Sequence, residues 1–133
     1  MMKTFLIAGG ICSLLGISSC SKRDKLNPPL PSPTVTAPNI SSTADATSIT
    51  STSAVSGGTI ANDGGGTITA RGVCWSTSVN PTITHFKTSD GTGPGTFTST
   101  LTGLSPATGY YIRAYATNSV ATSYGPQVVF RTP

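Results

Sequence analysis

The sequence predicts an all-β chain, and three observations carry that prediction. Many short segments rich in Thr, Val, Ile and Tyr are separated by turns of Gly, Asn and Asp. No stretch of residues 34–133 repeats its apolar residues at the spacing of an amphipathic helix. One segment, Leu104 to Asn118, reads as a tight corner followed by a strand. In it Tyr110, Ile112, Ala114 and Ala116 share one face at period two, and Tyr111, Arg113, Tyr115 and Thr117 share the other. The first face is apolar and tapers from large to small, while the second is polar and aromatic. That division suits a strand with one side on a core and one side in water. The 133 residues allow one domain of about 100 residues with further segments around it.

Residues 1–19 read as a secretory signal. Lys3 supplies a positive start, and Phe5 to Leu15 a short apolar run broken by Gly and Ser, too short for a membrane-spanning helix. The run ends in Ile17-Ser18-Ser19-Cys20: an aliphatic residue, two small residues, then a cysteine. This resembles a bacterial lipobox. The resemblance implies cleavage before Cys20, diacylglycerol on its thiol and an acyl chain on the new amine. Multiple chains anchor far more firmly than one, since each buried CH₂ contributes about 0.8 kcal/mol. An ordinary signal peptide with an incidental cysteine is the alternative. Ser21, rather than Asp, after the cysteine favours the outer membrane by analogy with enterobacterial sorting. Lys22-Arg23-Asp24-Lys25 partly resembles the surface-export signal of Bacteroidetes lipoproteins. The expected location is the outer membrane through a lipid on Cys20, with the side it faces left open. The linker, residues 20–33, ends in Asn27-Pro28-Pro29-Leu30-Pro31-Ser32-Pro33. Proline fixes φ and removes a donor, so this piece is expected to be an extended spacer of about 3 Å per residue, or else an unstructured leader.

The domain, residues 34–133, begins with an expected first strand from Val35 to Ile40, confined to an edge by Pro33 and Pro38. Thr47 to Gly57 is the expected second strand, with small residues on both faces and an ambiguous register. Asn62-Asp63-Gly64-Gly65-Gly66 is a turn that uses glycine for positive φ, and its ligand count is too low for calcium. Thr67 to Ser76 is the third strand. Val73 and Trp75 are assigned inward, where a large ring fills the middle of a sandwich; the opposite register would expose Trp75 as a ligand platform. Ile83 to Thr88 reads as a short strand and Ser89 to Gly95 as a glycine-rich turn. Phe97, Ser99 and Leu101 mark the next strand at period two. After the Leu104–Asn118 segment, Val120 to Pro126 reads as a hairpin, and Val128 and Phe130 alternate inward on the last strand.

The corner, Leu104-x-Pro106-x-Thr108-x-Tyr110 followed by Ile112, Ala114, Ala116 and Asn118, resembles the E–F corner and strand F of fibronectin type III domains. Ala70 to Thr77, and Lys87 to Gly91 with Gly95 to Leu101, resemble a bacterial subgroup found in surface proteins of the Bacteroidetes type. The resemblance implies an immunoglobulin-like β-sandwich of about seven strands, with the Tyr110 hydroxyl bonded to backbone just upstream. The chain departs from the animal-type pattern in having its tryptophan, Trp75, on the third strand rather than the second.

Charge and chemistry then narrow the function. The formal charge is +4, but Lys3, Lys22, Arg23 and Lys25 precede the domain. Within it four cations (Arg71, Lys87, Arg113, Arg131) meet three acids (Asp45, Asp63, Asp90), a net of +1. No basic patch of the kind nucleic-acid binders need results. The domain holds one histidine, His85, three scattered aspartates and no glutamate. This falls short of a nucleophile–base constellation, a carboxylate pair or a zinc site, so neither catalysis nor a metal or other cofactor is expected. Cys12 leaves with the signal and Cys20 is expected to be acylated, so Cys74 has no internal partner. The core must then hold the sandwich together, chiefly through Trp75, Phe97, Leu104, Tyr110, Ile112 and Phe130.

The expected role is a non-catalytic module, lipid-anchored on the outer membrane, that binds, adheres or acts as a spacer. Its partner would be a surface protein or a glycan. The candidate binding face is Tyr111, Arg113 and Tyr115, with Arg131 beside it, since rings with a guanidinium suit sugar stacking or protein contact. The same residues also read as ordinary outward positions of a twisted sheet. The alternative role is a structural subunit of a surface or fimbrial-type assembly, against which stands the expected lack of a donor strand after Pro133. A truncated member of a longer multi-domain family is a third reading.

Overall fold

The structure, a computed structural model, describes residues 30–133. The expected signal peptide, Cys20 and the linker up to Pro29 lie outside the described residues. Leu30 to Ser32 are exposed without regular structure, and the domain forms a compact unit from Pro33 to Pro133.

Two antiparallel sheets make the domain. The first orders β1 (Asn39–Thr47), β2 (Ala54–Asn62) and β5 (Gly95–Leu101) as β1-β2-β5. The second runs from β4 (Phe86–Lys87) through β3 (Ala70–Ser76) to β6 (Gly109–Thr117). Beyond β6 lie β7 (Thr122–Tyr124) and β8 (Val128–Arg131), both paired with it. Gly125-Pro126-Gln127 separates those two, and proline offers no ladder donor. β7 and β8 are thus halves of one interrupted edge strand, and the count resolves to a seven-stranded immunoglobulin-like sandwich, as the sequence predicts.

The inward faces meet where the alternation is clearest. Val73 and Trp75 of β3, Phe97 and Leu101 of β5, Tyr110, Ile112, Ala114 and Ala116 of β6, and Phe130 of β8 are all buried in one core. Tyr110 and Phe130 stack with centroids 5.7 Å apart. The corner locks around the same ring: the backbone N–H of Ser105 donates to the Tyr110 hydroxyl at 2.8 Å, five residues upstream. Thr132 ties the chain end to this corner, its hydroxyl donating to Ser105 O at 2.6 Å and accepting from the Thr108 N–H at 2.9 Å.

The first two strands lie further along the chain than expected. β1 starts at Asn39, just after the buried Pro38, and runs to Thr47, not from Val35 to Ile40. The stretch before it is held instead to the glycine turn, with Thr36 N–H donating to Gly64 O at 2.8 Å. Register shifts within β1 break its period-two pattern, so Ile40, Thr43 and Ala46 face the core at spacings of three. β2 likewise begins at Ala54 rather than Thr47, because a turn built on Thr50 and Ser53 precedes it. Its inward positions include Gly58, where a Cβ would stand 2.5 Å from that of Ala114. Small residues at both positions let the sheets approach closely there. β4 is only two residues long, and β7 occupies the middle of the expected Val120–Pro126 hairpin.

Candidate functional site

The expected binding face does not survive as a unit. Tyr115 is 2% exposed and its hydroxyl donates to Thr88 O at 2.5 Å. Arg113 is half-buried, its guanidinium 4.5 Å from the centroid of the Tyr124 ring. Its Nε donates to Gly125 O at 3.2 Å and its Nη1 to Pro81 O at 3.5 Å. Both side chains are therefore engaged within the domain. The physical reason is that the outer face of β3 and β6 does not meet water there. Pro81 and Ile83, before the β4 edge strand, bond to Arg113 and Tyr124, and Thr88, after it, takes the Tyr115 hydroxyl, so Cys74, Pro81 and Tyr115 are buried there. Of the three expected residues only Tyr111 stays toward solvent, half-buried opposite the exposed Val129, with exposed Arg131 farther along β8.

Thr88 and the turn that follows it are fastened by polar groups. Asp90 accepts from the Thr88 hydroxyl at 2.6 Å and from the Ser99 hydroxyl on β5, so its carboxylate links the edges of the two sheets. Arg71 donates to the carbonyls of Asp90 at 3.0 Å, Gly93 at 2.9 Å and Pro94 at 3.1 Å, and stands 5.4 Å over the Phe97 ring. Gly72 is required beneath it, because a Cβ there would meet Thr88 O at 2.4 Å. Burial pushes the Cys74 thiol up to about 11, with the Arg113 charge opposing that in part. Burial also raises Tyr115, and the Asp90 charge adds to it. A buried neutral thiol is a packing group and not a nucleophile.

The surface that is open and shaped lies elsewhere. A shallow depression of about 580 Å³ sits where the end of β3, the β4 edge and the corner before β6 converge. Phe86, His85, Thr84, Ser76, Thr77 and Ser105 line it, and Tyr110 lies at its inner side. Phe86 is 68% exposed, yet its ring stacks on buried Trp75 at 6.0 Å and 20°. Pairing of Trp75 with Phe86 across β3 and β4 fixes the backbone beneath that stack. His85 is exposed, and its Nδ1 accepts from the Thr82 N–H at 3.0 Å. Nothing in the sequence singles out Phe86. The only local signal was a histidine and a phenylalanine side by side in a short edge strand.

Other residues read from the sequence are spent on structure. Asn62 and Asp63 side chains accept from the N–H groups of Gly64 and Gly65, both at 2.9 Å, which closes the glycine turn on itself. Trp75 is buried, so it offers no platform of its own. Among the described residues no three His, Cys, Asp or Glu side chains stand together as a metal site.

No family model matches the chain, and no curated protein matches it. Solved structures do. The sensor domain of the anti-sigma factor RsgI4 in Pseudobacteroides cellulosolvens is similar at 21% identity and a TM-score of 0.52, over 74% of this chain and 97% of that one. Fibronectin domains of chicken CNTN1 are similar at 16% identity and a TM-score of 0.53, over 71% of this chain and 33% of that one. Domains of titin are similar at 20% identity and a TM-score of 0.50, over 74% of this chain and 32% of that one. At such identities the likeness speaks to fold: this is a fibronectin type III-like sandwich.

Proposed function

We propose that the chain is a non-catalytic lipoprotein of the outer membrane that holds a fibronectin type III-like domain away from the lipid, as a binding module or spacer. The observation that carries this reading is the order of parts along the chain. Ile17-Ser18-Ser19-Cys20 is followed by a charged run, a proline-rich segment and one compact sandwich. Acyl chains on Cys20 would anchor it, and the prolines would extend the tether. The domain's own groups fit a module better than an enzyme: His85 Nδ1 is bonded to Thr82, and the Asp90 carboxylate to Thr88 and Ser99.

The test is expression of the full chain in a Gram-negative host fed an alkyne fatty acid, beside Cys20→Ala. The wild-type chain should take up the label and partition with the outer membrane, and the variant should lose both. An unlabelled wild-type chain in the soluble fraction would remove the anchor from this account.

A further inference from the structure

We propose that the depression lined by Phe86, Ser76, Thr77, Thr84, His85 and Ser105 is a binding site for a neutral saccharide ring. The inference rests on the reading of the domain as a displayed binding module and adds the ligand class and the residues. Single exposed apolar side chains are ordinary on protein surfaces. Phe86 differs in being held: Trp75 backs one side of its ring, and the Trp75–Phe86 strand pair fixes its backbone. A ring already immobilised loses little conformational freedom when a ligand stacks on it.

The rim defines what would stack. Ser76, Thr77, Thr84 and Ser105 line it. The Ser76 hydroxyl already accepts from the Ser78 N–H at 3.1 Å and the Thr84 hydroxyl is paired with that of Thr82 at 2.7 Å, each keeping capacity for one further hydrogen bond. His85 accepts at Nδ1 from the Thr82 N–H, which leaves Nε2 to face a ligand as the donor. No Asp, Glu, Lys or Arg lines the depression, so nothing in it would repay the desolvation of a charged ligand. The matching molecule has a flat C–H face for Phe86, several hydroxyls for the rim and no charge, which is the chemistry of a neutral pyranose. The volume of about 580 Å³ falls among those of small-molecule pockets, roughly 300–1,000 Å³. The opening toward solvent suits a ring at the end or along the side of a longer glycan.

The experiment is calorimetric titration of the full chain, purified in a detergent without a sugar headgroup. The probes are neutral gluco-, xylo- and manno-oligosaccharides, with a polygalacturonate oligomer as the charged comparison. At least one neutral oligosaccharide should bind and the uronide should not. Phe86→Ala should weaken that binding about tenfold or more, and Phe86→Tyr should retain it, since stacking depends on the ring. Phe86→Ala also removes the stack on Trp75, so its thermal transition should fall by several degrees yet stay cooperative, and binding is compared well below it. The proposal is overturned by silence of all neutral probes, by binding that survives Phe86→Ala unchanged, or by a preference for the uronide. Fatty-acid labelling of Cys20 is read separately: binding lost with labelling intact removes this site alone, and labelling lost with binding intact removes the anchor alone.

Discussion

Tyr110 shows how much one hydroxyl can organise. Its ring fills the core against Phe130, and its oxygen takes the Ser105 N–H of the corner. Tyr110→Phe keeps the ring and orphans that donor, so it should lower stability by about 1–2 kcal/mol in urea unfolding with an unchanged m-value. Cys74 offers a prediction in pH. Its ordinary value of 9.0 is raised to about 11 in the folded domain, chiefly by burial. The unfolded chain therefore gives up this proton first, and the folded chain only near 11. Stability from this group is constant below 9 and falls as pH rises from 9 to about 11. A comparison of wild type with Cys74→Ala across that range should show the steeper loss in the wild type. Tyr115, raised in the same direction chiefly by burial, is present in both proteins, and only the smaller part of its shift that comes from the Cys74 charge enters the difference.

At the scale of elements, what the sequence made legible follows from side-chain size and local periodicity. β5 and β6 were readable because Phe97, Leu101, Tyr110 and Ile112 mark one face without interruption. β1 was not, because its inward residues are Ile40, Thr43 and Ala46 and its bulges remove the alternation that would reveal them. Thr43 in fact joins the sheets. At the break between β7 and β8, the N–H of Ala114 on β6 finds its acceptor in the Thr43 hydroxyl, 2.9 Å away in the other sheet. Thr43→Val preserves the volume and leaves that buried N–H unpaired. It should cost about 1–3 kcal/mol, and the Ala114 amide should exchange with deuterium faster than in the wild type. The outer face of β6 was misjudged for a different reason. Alternation assigns Tyr111, Arg113 and Tyr115 to the side away from the core but says nothing about what covers that side. The cover comes from Pro81, Ile83, Tyr124 and Thr88, the last held by Asp90, and such long-range contacts leave no periodic trace. The depression at Phe86 was hidden likewise, since it needs β3, β4 and the corner brought together.

At the scale of the molecule, the domain from Pro33 to Pro133 is a self-contained sandwich. The corner, Thr43 and Asp90 each connect parts distant in sequence, so the domain keeps its shape without a disulfide among the described residues. The depression at Phe86 is uncharged and centred on a ring stacked on Trp75. The proposed lipid on Cys20 would decide what such a domain can meet, which makes the anchor the central claim. The most direct measurement is the intact mass and N-terminal peptide of the chain recovered from a cell envelope. The account predicts a mature protein that begins at Cys20, with a diacylglyceryl group on its sulfur and an acyl chain on its amine. A chain that begins elsewhere, or carries Cys20 without lipid, would contradict it.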